Sequence, residues 1–277
     1  AERLGVTMNM VNVAQVDTDI SPFGLGSFAT RGTLMGGNGV LAAAKDAYDQ
    51  MADIAADMLN TKAADVACRK AMFFSKSSSE TKISFQDIAS EATIRHHGAP
   101  IVGTGFYKPP TELPDPDTKK GNISPAYPFG CQIAEVEVDP DTGQVSVTNF
   151  VAAHDVGRAI NPMATVGQIQ GGIAQGLGWT LMENMAYEDG KMINADFVDY
   201  IVPSCFDIPD IKAILVEPIE PNGPYGAKGI GEPALNPTMA AITNAIYDAT
   251  GVRIKELPVN PQKLLAQIQK LGKYEKE

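Results

Sequence analysis

Apolar residues at Val40, Leu41, Ala44, Ala47, Tyr48, Met51, Ile54, Ala55 and Met58 recur at the spacing of one helix face, after a Gly-rich opening at Gly36-Gly37-Asn38-Gly39. They predict a long amphipathic helix. A second, short helix is predicted from Ser84, whose hydroxyl can cap it while Asp87 serves the helix dipole, ending near Gly98. Between Gln132 and Val151 the period changes to two. Ala134, Val136 and Val138 alternate with Glu135 and Glu137, a turn follows at Asp139–Gly143, and Val145 and Val147 resume the pattern. That alternation predicts a β-hairpin. Three further helices are expected after Asn161-Pro162, Asn236-Pro237 and Asn260-Pro261, since proline suits a first helical position. The first of them carries five glycines between 167 and 178, so something must pack very close to it. The proline-rich stretch from Tyr107 to Tyr127 reads as an extended loop. Helices interleaved with an antiparallel hairpin, without βαβ alternation, predict an α+β layered sandwich, with a first part at 1–150, a boundary near Phe150 and a second part at 151–277.

Composition narrows the partners. The 277 residues, 44% hydrophobic, suffice for real cores, and a net charge of −11 from 22 basic and 33 acidic residues argues against nucleic acid as a partner. No apolar run approaches the roughly 20 residues of a membrane span. The N-terminus lacks the basic and apolar regions of a signal peptide, so a cytoplasmic location is expected. Ala1 to Gly5 reads as the tail of a helix whose beginning lies upstream or in another chain. Cys68, Cys131 and Cys205 lack metal or cluster spacing and are expected to be buried thiols.

Several segments could carry chemistry. Gly226-Ala-Lys-Gly-Ile-Gly-Glu-Pro-Ala-Leu235 crowds three glycines into a turn that presents one carboxylate, Glu232, just before a helix. Glycines let a backbone approach a bound group closely, and an acid on such a turn can work as a base there or simply serve the helix dipole. The loop Gly24-Leu-Gly-Ser-Phe-Ala-Thr-Arg-Gly32 offers N–H groups, hydroxyls and a cation, which suits a phosphate-bearing ligand or a plain helix entry. His154-Asp155 reads either as a catalytic pair or as a polar strand end, and no nucleophile signature accompanies it. Adjacent His96 and His97 do not share a helix face and make a poor metal site. Trp179 reads as core or interface, and Met239 as core.

Taken in order, Gly24 to Arg31, Gly167-Gln-Ile-Gln-Gly-Gly-Ile-Ala-Gln-Gly176 and Lys228-Gly-Ile-Gly-Glu232 resemble the molybdenum-binding subunits of the xanthine dehydrogenase and aldehyde oxidase family. Asp155-Val-Gly-Arg-Ala-Ile-Asn-Pro162 and Tyr225-Gly-Ala-Lys-Gly-Ile-Gly-Glu-Pro233 strengthen the resemblance, which spans nearly the whole chain. It implies the second molybdopterin-binding domain of that family, in two subdomains, and a molybdenum–molybdopterin cofactor in the cytosine dinucleotide form. By motif position, Gly26, Ser27, Phe28, Ala29, Thr30 and Arg31 approach the pterin or its pyrophosphate. Gln168 hydrogen-bonds the cofactor beside Thr165 and Gly167, while Lys228, Gly229, Ile230 and Gly231 line the metal, which the dithiolene alone holds. Glu232 corresponds to the catalytic base, taking a proton as oxygen attacks an electron-poor carbon.

The family's Gly-Gln-Gly cofactor segment is not in these residues, so an N-terminal molybdopterin-binding chain or domain is expected as partner. Iron–sulfur and FAD groups are expected only in partner chains, because the cysteines are scattered and no flavin fingerprint is present. Val16–Ser27, Gly105–Pro110 and Ser124–Phe129 look closest to the 4-hydroxybenzoyl-CoA reductase branch, whereas Gly231-Glu-Pro233 looks like the hydroxylase form, leaving purine, nicotinate and other N-heterocycles open. Two functions follow: a catalytic part of a molybdenum oxidoreductase, or a structural or assembly subunit that keeps the fold and binds no metal.

Overall fold

The computed structural model describes residues 1–19 and 21–272; Ile20, within the run 16–27, and the tail 273–277 lie outside them. The chain forms two compact units, Ala1–Pro125 and Ala126–Glu277. The division therefore falls before the hairpin and not near Phe150, which lies fully buried inside a strand. A hairpin strand cannot be parted from its partner without opening its hydrogen-bond ladder.

The first unit is built on helix α1 (Gly32–Met58), a three-stranded antiparallel sheet of β1 (Val66–Arg69), β2 (Met72–Ser75) and β3 (Lys82–Ser84), and helix α2 (Phe85–Arg95). Helix α1 begins earlier than its apolar pattern predicts, taking the Gly36–Gly39 stretch into its first turns. Its buried face is concentrated at Met51, Ile54 and Ala55, and Val40 is exposed. These residues pack with Phe73, Ile83, Ile88 and Ala92. Helix α2 starts where expected: the Ser84 hydroxyl accepts from the Asp87 N–H while the Asp87 carboxylate accepts from the Ser84 N–H, closing a capping box. Residues 96–129 contain no helix or strand, in keeping with the proline-rich loop expected there.

The second unit is a two-layer α+β arrangement. Strand β4 (Gly130–Val138) pairs antiparallel with β5 (Val145–Asp155), and β5 pairs parallel with β8 (Asp210–Val216), giving the order β4-β5-β8. Between β5 and β8 the chain runs through helix α3 (Pro162–Leu181) and a two-residue-strand hairpin of β6 (Tyr187–Glu188) and β7 (Lys191–Met192). A parallel pair demands such a crossover, so the expectation of no βαβ unit is corrected. Helices α4 (Thr238–Thr250) and α5 (Pro261–Lys270) complete the layer. Phe150 and Ala152 of β5 meet Ile169, Ile173 and Leu177 of α3, Ile242 and Ile246 of α4, and Leu264 and Ile268 of α5 in one core. Asn161 and Asn260 cap α3 and α5 through their side chains, each followed by proline at the first helical position.

One expectation about side chains is corrected. Cys131 and Cys205 are exposed, the first on the edge strand β4 and the second in a loop, and Cys68 is half-buried, where burial pushes its thiol up to about 11. Trp179, expected in the core or at an interface, is 40% exposed on α3.

Candidate active site

Strand β5 ends at His154-Asp155, and the chain then loops to α3 through Asn161. The returning segment 224–237 is secured against that loop by backbone bonds: Lys228 N–H donates to the Val156 carbonyl at 2.9 Å and Arg158 N–H to the Gly226 carbonyl at 2.8 Å. Gly157 and Ala227 form an isolated antiparallel bridge there. The turn reverses sharply at Tyr225 and Gly226, both at positive φ (52° and 86°).

Lys228 turns inward. Its ammonium lies 2.6 Å from Asp155 Oδ2 and 3.9 Å from Glu220 Oε2, and donates to the Tyr127 carbonyl at 3.1 Å. The three side chains are only 9–11% exposed. A cation so enclosed neutralises two buried carboxylates and locks the turn. Its side chain and its N–H are both bonded inside the unit. The Asp155 carboxylate also accepts from the Gly157 N–H at 3.1 Å, which assigns the second residue of the His154-Asp155 pair to this lock.

Beyond Lys228 the chain climbs to the surface. Gly229 is buried, Ile230 is half-buried against the core, and Gly231 and Glu232 are exposed. Glu232 begins a series of turns, its carbonyl accepting from Leu235 N–H at 3.0 Å, that leads into α4. Helix α3 meets this rim. The Gln168 side chain donates from Nε2 to the Gly231 carbonyl at 2.6 Å, bringing together two candidate residues 63 positions apart. Thr165, half-buried one turn earlier, bonds back to the Asn161 carbonyl at 2.8 Å, and Gly167 is exposed.

The glycines of α3 divide into two kinds. A Cβ at Gly176 would stand 2.6 Å from Thr238 Cβ, and one at Gly172 would stand 2.8 Å from Ala234 Cβ, so here α3 touches the turn and the start of α4. At Gly167 and Gly171 a Cβ would meet nothing within 4 Å. The close packing expected of the five glycines is therefore real for the later part of the helix, while the first two leave open surface beside Gln168.

The loop Gly26–Arg31 belongs to the first unit and is described by itself. Gly26 (φ 89°), Ala29 (φ 48°) and Thr30 (φ 58°) all adopt positive φ. Residues Gly26 to Ala29 are exposed, Thr30 and Arg31 half-buried, and the Arg31 guanidinium lies 5.0 Å from the centre of the Phe28 ring. Left-handed backbone at two non-glycine residues is strained, and such strain gathers where a ligand is clamped.

The residues that sequence reasoning passed over are Glu220, Gln132 and Thr238. Glu220 gave no signal, because nothing in its local string shows that it faces the Lys228 ammonium in the folded chain. Gln132 could have been noticed as a polar residue at an inward position of an otherwise apolar strand face.

A model of the molybdopterin cofactor-binding domain matches residues 1–209. The chain belongs to the molybdopterin-binding subunits of the xanthine dehydrogenase and aldehyde oxidase family. It is 32% identical over 280 residues to the 6-hydroxypseudooxynicotine dehydrogenase complex subunit gamma of Paenarthrobacter nicotinovorans, covering 100% of this chain and 34% of that protein. It is also 32% identical over 278 residues to the xanthine dehydrogenase molybdenum-binding subunit of Escherichia coli O157:H7, covering 98% of this chain and 35% of that one. Among solved structures, Cu,Mo-CO dehydrogenase matches with a TM-score of 0.84 at 26% identity over 98% of this chain and 33% of that chain. Aldehyde oxidoreductase from Desulfovibrio gigas matches with a TM-score of 0.75 at 27% identity over 97% of this chain and 26% of that chain. The chain thus spans about a third of the length of the curated relatives it matches. The α+β fold expected from the sequence agrees with these family structures. No helix among the described residues is long and apolar enough to cross a membrane.

Proposed function

We propose that this chain is the part of a molybdenum-dependent oxidoreductase that carries the catalytic base, Glu232, and one wall of the molybdopterin pocket. The observation that carries the reading is the bond from Gln168 to the Gly231 carbonyl, which sets the exposed Gly231-Glu232 rim beside the open start of α3. The rim suits the edge of a pyranopterin, with an amide side chain and unfilled space at Gly167 and Gly171; the loop Gly26–Arg31 of the first unit, taken by itself, is strained and cation-bearing and suits a phosphate. When bound, the molybdenum centre supplies the redox chemistry.

The chain's own residues then have separable tasks. Gly26, Ser27, Phe28, Ala29, Thr30 and Arg31 hold the pterin or its pyrophosphate, and a cytosine dinucleotide form would extend that demand. Gln168, with Thr165 and Gly167 beside it, orients the cofactor edge. The Lys228–Asp155 lock keeps Gly229, Ile230 and Gly231 rigid. Glu232, on the rim, removes the proton from the attacking oxygen nucleophile as it reaches an electron-poor aromatic carbon. Rigid placement of a base contributes through both proton transfer and orientation.

A partner chain or domain supplies the remaining walls, and iron–sulfur and FAD subunits carry electrons, in a cytoplasmic complex. The substrate class we favour is an N-heterocycle, since a xanthine dehydrogenase subunit stands among the relatives. A nicotinate-like ring or an aromatic CoA thioester, as in 4-hydroxybenzoyl-CoA reductase, is the other outcome of a substrate screen. The decisive experiment is Glu232→Gln in the assembled complex: turnover falls by about 10²–10⁴-fold with molybdenum and pterin content unchanged. Turnover near that of the wild type would overturn the base assignment.

A further inference from the structure

The buried end of the β4–β5 hairpin holds a polar chain that the reading above leaves unused. His154 is fully buried and sits opposite Gly130 in the antiparallel register. Its ring fills the place a side chain at 130 would take, because a Cβ there would come within 2.6 Å of both Cε1 and Nδ1. His154 Nε2 lies 3.0 Å from the side-chain nitrogen of Gln132. That nitrogen also donates to the Ala234 carbonyl at 2.7 Å, and Gln132 Oε1 accepts from the Thr238 hydroxyl at 2.8 Å. Ala234 and Thr238 bracket the downstream limb of the turn that begins at Glu232, a segment 102 positions away from Gln132.

Hydrogen-bond polarity fixes the orientation of the Gln132 amide. A carbonyl only accepts, so the Gln132 nitrogen must face Ala234, and its oxygen faces the Thr238 hydroxyl, whose single hydrogen is shared with the Ala234 carbonyl at 2.9 Å. The second amide hydrogen then points to His154 Nε2, which must be the bare nitrogen of a neutral ring. The ring proton therefore resides on Nδ1, which has no hydrogen-bond partner among the described residues. An unpaired buried donor is costly, and its persistence here follows from the use made of the other nitrogen. Burial also pushes the imidazole pKa down, in keeping with a neutral ring.

We propose that Gln132, its amide oriented by His154, is a positioning residue that holds the Glu232 turn at the distance the proton transfer requires. The inference rests on the base assignment of the preceding section. It adds that the turn is set from behind by a side-chain brace as well as from its start by the Lys228 lock.

The test uses the assembled molybdenum enzyme with Gln132→Met, which keeps side-chain length and removes both amide atoms. Hydrogen exchange over residues 231–238 is measured beside steady-state kinetics, with Glu232→Gln as a parallel variant. Faster exchange, together with a kcat lowered by about tenfold at unchanged KM and molybdenum content, is the expected result. His154→Gln, which keeps an acceptor for the Gln132 amide, restores more of kcat than His154→Leu. Unchanged exchange overturns the brace. Faster exchange with an unaltered kcat, while Glu232→Gln is inactive, overturns the positioning role. Faster exchange with an active Glu232→Gln variant leaves the brace standing and removes the base assignment instead.

Discussion

In the turn at 226–235, Lys228 is enclosed by Asp155 and Glu220, its N–H is bonded to Val156, and Gln132 holds Ala234 from the strand behind. In the loop at 24–31, residues Gly24 to Ala29 are exposed, and the backbone bends through positive φ at Gly26, Ala29 and Thr30 with Arg31 lying over Phe28. Both segments are rich in glycine and both are candidate cofactor-facing elements. Composition alone makes them equivalent. The folded chain instead ties the first down within its own unit and leaves the second a strained surface loop. That contrast fits the roles proposed above, since a base must stand ready before substrate arrives, whereas a bound cofactor can itself order the loop that grips it.

Lys228→Met is the strongest way to break this contrast. Leaving Asp155 and Glu220 buried without their cation is expected to destabilise the second unit by about 3–5 kcal/mol in denaturant unfolding. Arg31→Ala in the loop, which removes the contact with the Phe28 ring, should cost no more than about 1 kcal/mol and lower the molybdenum content of the assembled enzyme. A large stability loss from Arg31→Ala would make the two segments alike and end the comparison.

Gly176→Ala comes next in size, since its Cβ would press on Thr238. It should cost about 1–3 kcal/mol and lower turnover by moving the turn. Gly167→Ala, with open space around it, should have the opposite sign in the apo chain, stabilising α3 by about 0.5–1 kcal/mol while impairing cofactor loading. Thermal melts of the apo chain and molybdenum analysis of the complex read both.

The smallest effect is a pH dependence. Burial holds the His154 imidazole below its ordinary value of 6.5. The unfolded chain therefore binds the proton first as pH falls, so stability is highest above 6.5 and declines between that pH and the depressed folded value. His154→Gln should flatten this part of the stability–pH curve. An unchanged curve would show that the ring is not the group responsible.

Much of the local structure was legible because its causes lie within a few residues. Ser84 and Asp87 form their capping box across three positions, Asn161-Pro162 and Asn260-Pro261 start helices with their own side chains, and the hairpin turns at Asp139–Gly143. The family motifs were equally readable, since Gln168, Gly231 and Glu232 stand in characteristic strings. The unit boundary was misplaced at Phe150 because a run of alternating residues shows that a strand exists but not which strand lies on its far side. The exposed Cys131 and Cys205 were misjudged for a related reason: burial belongs to the face a residue occupies, not to its type.

By itself, then, the sequence determined the helices, their caps, the hairpin and the membership in a molybdopterin-binding family. Only the tertiary structure decided that β5 pairs in parallel with β8, that Lys228 spends its charge on Asp155 73 positions away, and that Gln132 reaches Ala234. Caps and periodicities arise from neighbours along the chain, where a few dihedral angles set the distance. Ion pairs and braces between distant segments depend on how whole layers pack, and the same side chains could have met other partners had the crossover through α3 brought a different strand beside β5.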